Sequence, residues 1–114
     1  MLFRSVAHLY QPTNPAILRL ILHCAKAANQ HGIWVGVCGE MASDLNLVPL
    51  LIGLGMDELS VAPSLVPRVK YAIRKLDAGE CAARAKEWCE LADPREIYEA
   101  TRAIALSAYP EVLS

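Results

Sequence analysis

The sequence predicts a mixed α/β fold, and three observations carry that prediction. Two short runs, the apolar Ile33–Val37 and Glu58–Val61, read as strands. Apolar residues at helical spacing precede the first run, fill the interval and follow the second. Two strands joined by a crossover helix form a βαβ unit, so the strands are expected to be adjacent and parallel.

The first helix opens at Asn14, a residue that caps well, with Pro15 at the first helical position. Ile17, Leu18, Ile21, Leu22, Ala25 and Ala28 form its apolar face, and His31-Gly32 ends it, with Gly32 in the left-handed cap position. Ile33–Val37 is apolar and rich in β-branched residues without clean alternation, as expected for a strand buried on both faces. A second helix carries Leu45, Val48, Leu51 and Ile52; Pro49 belongs near its first turn, which favours Asn46 over Asp44 as its cap, and Gly53 and Gly55 close it. After the second strand, Ser64 is placed to cap a third helix with Val69, Ala72, Ile73 and Leu76 inward. Arg68, Lys70, Arg74 and Lys75 then form its solvated side. Beyond Gly79 come two helices in succession. One turns Cys81, Ala85, Trp88 and Cys89 inward; the other starts at Asp93-Pro94-Arg95-Glu96 and turns Ile97, Thr101, Ile104 and Ala108 inward.

Two strands leave unpaired edges on both sides and do not make a stable sheet by themselves. The chain therefore reads as the end of a larger α/β domain, and in isolation it is expected to be marginally stable or prone to aggregate. At 114 residues it holds one domain at most. A hydrophobic content of 54% excludes disorder, and a net charge of −1 leaves no electrostatic footprint for nucleic acid. The longest apolar stretch, Leu45–Met56, is broken by Asn46, Pro49 and Gly53, so no membrane insertion is expected; nor has Met1–Gln11 a signal-peptide layout. The expected compartment is the cytoplasm, where thiols stay reduced.

Cys24, Cys38, Cys81 and Cys89 match no metal-binding pair and no compact disulfide framework. Cys24, Cys81 and Cys89 read as small core residues. Cys38 differs, because it stands in "WVGVCGEMASD", between glycines, where a strand stops and a loop begins. Asp44 in that stretch reads as a helix-start residue rather than a metal ligand. His8, His23 and His31 form no ligand set, and Trp34 and Trp88 read as packing residues rather than a stacking pair.

Three stretches, "HLYQPTNPAILRLI" from His8, "GIWVGVCGEMASD" from Gly32 and "LLIGLGMDELSVAPSLVPRVKYAIRKL" from Leu50, occur in this order. Together they closely resemble the C-terminal part of Enzyme I of the bacterial sugar phosphotransferase system, the phosphoenolpyruvate–protein phosphotransferase family. The likeness is strong from His8 to Leu76 and weaker through the helical tail. Pyruvate phosphate dikinase and phosphoenolpyruvate synthase have a similar "CG" motif, but the first stretch favours Enzyme I over both.

The resemblance implies a (β/α)8 barrel that binds phosphoenolpyruvate. Ile33–Val37 and Glu58–Val61 become its last two strands, followed by the C-terminal helices, so that the chain is an incomplete barrel. Residues 1–7 are then expected to be a non-native or truncated start, and 8–114 the C-terminal portion of the barrel domain. In such barrels chemistry sits at the C-terminal ends of the strands. The family's catalytic cysteine occupies the position of Cys38, where it protonates enolpyruvate to pyruvate after the phosphoryl group has passed to a histidine. A thiol, with an ordinary pKa of about 8.5, is mostly protonated at neutral pH yet can release its proton. Gly36 and Gly39 are expected to let backbone and ligand approach closely, and the helix after the loop to favour a thiolate. Which residues bind substrate is left open, with Gly39 the candidate beside the site; Glu40 falls near its mouth without direct chemistry.

The family's metal-binding acids, phosphate-binding arginines and phosphorylated histidine have no counterpart among these residues. The resemblance thus assigns Mg2+ to a full-length parent, with no metal ligand in this chain, and leaves the chain inactive alone. It also implies phosphoenolpyruvate and pyruvate as ligands, a histidine phosphocarrier protein as partner of a region not in this sequence, and a homodimer. A reading of another class remains beside it: a non-catalytic dimerisation or binding module.

Overall fold

A computed structural model of the chain describes residues 11–113. His8 and the expected start at 1–7 lie outside them. Helix α1 spans Pro15–Gln30, β1 Gly36–Val37, α2 Glu40–Ser43, α3 Val48–Gly53, β2 Glu58–Leu59, α4 Val66–Arg74, α5 Ala78–Cys89 and α6 Pro94–Ala108. Short 3-10 turns at Leu45–Leu47, Pro63–Leu65 and Pro110–Val112 precede α3, precede α4 and follow α6. No described helix is long and apolar enough to cross a membrane.

The expected fold class holds as a mixed α/β arrangement with an open two-stranded sheet. The strands pair in parallel, Gly36 opposite Glu58 and Val37 opposite Leu59. They are shorter than the expected runs 33–37 and 58–61, although hydrogen bonds flank the ladder: Asp57 N–H donates to Val35 O at 2.7 Å, and Ser60 N–H to Val37 O at 2.9 Å. Burial on both faces is corrected. Ile33 and Trp34 are 63% and 68% exposed, because no described element covers them. Trp34 is thus not a packing residue here, whereas Trp88 is buried.

The core is built around α3. Val48, Pro49, Leu50 and Leu51 are all buried, so this one-and-a-half-turn helix is apolar on every side and must lie centrally. On one side Leu47, Leu50 and Leu54 pack with Leu18 of α1, Ala85, Trp88 and Cys89 of α5 and Ile97 of α6. On the other, Leu45 and Val48 pack with Val69 and Ala72 of α4 and Ala105 and Tyr109 at the end of α6, and Leu59 of β2 adds to this cluster. Each fully buried leucine contributes about 2 kcal/mol. The closeness of α3 to α5 depends on Gly53, where an added Cβ would fall 2.7 Å from Ala85 Cβ.

Local chemistry sets the helix ends. Asn14 Oδ1 accepts from Ala16 N–H and Asp93 Oδ1 from Arg95 N–H, each ahead of a proline, while Gly32 takes φ +67° after α1. Asp77 caps α5 through Glu80 N–H. Four local expectations change. The helix expected over 45–52 is divided into the 3-10 turn and α3, with α2 a separate turn ahead of them. Asp44, and not Asn46, caps the 3-10 turn, its Oδ1 accepting from Asn46 N–H, while α3 itself has no side-chain cap. Ser64 makes no cap, because it lies inside the 3-10 turn that leads into α4. Ile17 and Ile73 sit at helical spacing but are 43% and 39% exposed, since nothing described packs on those sides.

Candidate functional site

Cys38 immediately follows β1, and its residue is exposed. Because the strands are parallel, the C-terminal end of β2 lies beside it, joined through Ser60 N–H and Val37 O. At the opposite end, Asp57 grips Val35 twice: its N–H donates to Val35 O, and its Oδ2 accepts from Val35 N–H at 3.0 Å. The thiol thus stands on a tethered strand end and faces open space.

The two flanking glycines do different work. A Cβ at Gly36 would meet Glu58 Cβ at 3.1 Å, so the close approach it permits is to the neighbouring strand rather than to a ligand. Gly39 has φ +83° with nothing within 4 Å of an added Cβ. Its conformation, rather than crowding, demands glycine there, and it turns the chain sharply from strand into α2. That open side leaves Gly39 accessible beside the thiol. Glu40 is exposed in the first turn of α2. The element that follows the loop is this single turn, so the helix field expected at the thiol is not available from it.

Asp44 closes the segment. Its Oδ1 accepts from Asn46 N–H and Asn46 Nδ2–H, and its Oδ2 accepts from the Tyr98 hydroxyl at 2.9 Å. Thr101 Oγ1 donates to Asn46 O, and Tyr109 Oη to Leu45 O at 2.6 Å. Burial pushes the Tyr98 hydroxyl up, and its bond to the Asp44 carboxylate adds to the rise, against smaller lowering effects of Asn46 and Arg102. Tyr109 is pushed up further, again first by burial. Both hydroxyls therefore remain donors at neutral pH. The sequence alone assigns no role to Tyr98 and Tyr109 and marks Thr101 only as an inward residue; hydroxyls at helical spacing on an otherwise apolar face are the available signal.

The other thiols separate from Cys38. Cys81 and Cys89 are buried, and burial pushes both up. Cys24 is exposed, correcting its assignment to the core, because it lies on the side of α1 away from α3. His23 and His31 are exposed, and His31 Nδ1 lies 2.8 Å from Ala27 O at the end of its helix. Arg68, Lys70, Arg74 and Lys75 are exposed, with Lys75 Nζ 5.2 Å from the centre of the Tyr71 ring. Among the described residues, no group of three or more His, Cys, Asp or Glu side chains could hold a metal ion. Mg2+ therefore finds no fitting ligand set here, and no chemical step below passes through it.

The fold and the site together define a mixed α/β unit that presents a thiol at the C-terminal end of parallel strands. The chain belongs to the family of the PEP-utilising enzyme, PEP-binding domain, whose sequence pattern matches residues 3–78. It is similar to the multiphosphoryl transfer protein of Escherichia coli O6:H1 (strain CFT073), with 42% identity over 92 residues, 81% of this chain and 11% of that protein. Phosphoenolpyruvate-protein phosphotransferases are similar too. That of Listeria monocytogenes serovar 1/2a is 43% identical over 94 residues, 82% of this chain and 16% of the relative. That of Geobacillus stearothermophilus is 52% identical over 82 residues, 72% of this chain and 14% of the relative. The chain spans well under a fifth of the length of these relatives.

Proposed function

We propose that this chain forms the last two βα units of a (β/α)8 barrel in a phosphoenolpyruvate–protein phosphotransferase, and that Cys38 is its proton donor. The observation that carries this reading is the exposed thiol at the C-terminal end of β1, level with the end of the parallel β2. Such strand ends are where barrels of this kind place their chemistry. The family match and the names of the relatives support phosphoenolpyruvate as the substrate class.

In the proposed reaction the phosphoryl group leaves phosphoenolpyruvate for a histidine elsewhere in the larger protein, and later passes to a histidine phosphocarrier protein. Enolpyruvate remains. It is left as the enolate, whose carbon–carbon double bond takes the proton from Cys38 Sγ as the S–H bond breaks; a C–H bond forms at the methylene carbon, and the enolate oxygen becomes the ketone of pyruvate. The thiolate left behind recovers a proton from solvent. Gly39 supports this by turning the chain away, with open space beside its α-carbon. Binding of phosphoenolpyruvate, assembly into a homodimer and a cytoplasmic setting belong to the same proposal, as does the division of the chain at residue 8.

The test is Cys38→Ala in the multidomain enzyme. Pyruvate release is expected to fall at least about a hundredfold, the scale of general acid catalysis, while phosphoenolpyruvate affinity stays near its original value. Near-normal release would remove Cys38 from the mechanism.

A further inference from the structure

We propose that Tyr98, Thr101 and Tyr109 are positioning residues for the Cys38 loop, acting as a three-point brace on the turn that follows it. This rests on the assignment of Cys38 as the reactive thiol. The loop has little to hold it locally. After Gly39 comes α2, a single turn, closed on itself by Ser43 N–H and Ser43 Oγ–H, both donating to Gly39 O at 3.3 and 3.2 Å. A lone helical turn does not sustain itself in water, because nucleation costs more than one turn of hydrogen bonds returns.

The hold comes from the far end of the sequence. Three consecutive residues after α2 are each bound by a different hydroxyl: Asp44 Oδ2 by Tyr98, Leu45 O by Tyr109 and Asn46 O by Thr101, at 2.9, 2.6 and 3.0 Å. Positions 98, 101 and 109 form one stripe along α6 and its C-terminal cap. Thr101 and Tyr109 are fully buried, so the Tyr109 bond is shielded from competing water and the Thr101 bond partly so. Asn46 Nδ2–H also donates to the Tyr98 hydroxyl at 3.1 Å, which fixes the direction of the Tyr98 proton toward Asp44. The family pattern ends at residue 78, so the brace lies beyond it, in a helix otherwise without a part in the site. The end of α2 is thereby pinned to the core, and Cys38 hangs between that pin and β1.

Thr101 gives the sharpest test, because valine keeps its shape without the hydroxyl and serine keeps the hydroxyl without the methyl. A trifluoromethyl probe is attached to Cys38 in a Cys24→Ser background, which leaves one exposed thiol. Fluorine NMR of the probe and hydrogen exchange are read together. Thr101→Val and Tyr98→Phe should broaden or split the fluorine line and speed exchange at 41–46 by about fivefold or more, the scale of one lost hydrogen bond. Protection in α1 and α5 should stay unchanged, and Thr101→Ser should keep the original line. Serine as disruptive as valine would make Thr101 a packing residue and overturn the brace. So would unchanged signals in Thr101→Val and Tyr98→Phe, or loss of protection throughout the chain in both. Pyruvate release by Cys38→Ala decides the parent reading separately: a brace without a catalytic thiol, or a catalytic thiol without a brace, are distinct results.

Discussion

Gly53 of α3 and Cys81 of α5 are in backbone contact, with the Cys81 carbonyl oxygen occupying the place where a side chain at 53 would begin. Gly53→Ala should therefore destabilise the chain by about 3 kcal/mol, as overpacking does, despite alanine's better helix propensity. Gly79 is the control. An added Cβ there meets only the tip of the Asp77 carboxylate at 3.3 Å, so Gly79→Ala should stay within about 0.5 kcal/mol. Urea unfolding of both variants checks the contrast, and equal effects would refute the tight crossing.

Tyr109 buries a hydroxyl against Leu45 O, and Tyr109→Phe should cost about 1–2 kcal/mol at pH 7. Its pKa is raised in the fold, chiefly by burial. The unfolded tyrosine ionises near pH 10, the folded one later, so alkali favours unfolding. The contribution is complete below about pH 10 and lost as the pH rises beyond it. The stability gap between the original chain and Tyr109→Phe should hence narrow above pH 10. A gap constant to pH 11 would contradict the burial argument.

Thiol reactivity should divide in two. Cys24 and Cys38 should react with iodoacetamide in the folded chain, and Cys81 and Cys89 only after unfolding, as their burial and raised pKa values dictate. Mass spectrometry after a timed alkylation reads this directly. Early labelling of Cys89 would place the α1–α5 contact in doubt.

Hydrogen exchange should rank the elements. Amides of Leu50, Leu51 and Ile97 should be the slowest, since they lie in the buried core. Those at 33–37 should be far faster, with Ile33 and Trp34 open to solvent. Comparable protection at both would mean that something covers the strand face.

Features set within one or two turns were legible in the sequence. The caps at Asn14 and Asp93 depend on a side chain and an amide two residues away. The inward face of Cys81, Ala85 and Trp88 follows from helical spacing alone. The parallel strands followed from the order of elements. Exposure of Ile33, Trp34 and Ile73 was not legible, because an apolar pattern names the face to be covered but not whether a cover is there. The division at 47–48 is not legible, because Pro49 suits the first turn of one helix over 45–52 as well as that of a separate helix starting at Val48. At the site, the place of Cys38 could be read from its motif. Its relation to Tyr98 could not, since Tyr98 and Asp44 are 54 positions apart and no local pattern joins them.

The double grip of Asp57 on Val35 makes β1 a ruler with its zero mark fixed. Sliding one strand past the other by a single residue would invert every side chain and break both bonds at once, so intermediate alignments are not available. Cys38 lies three residues beyond Val35, about 10 Å along an extended strand. The height of its sulfur above the strand ends is therefore measured out in whole residues from an aspartate on the far side, and lengthening the strand by one residue would lift the thiol by a full step rather than by a fraction.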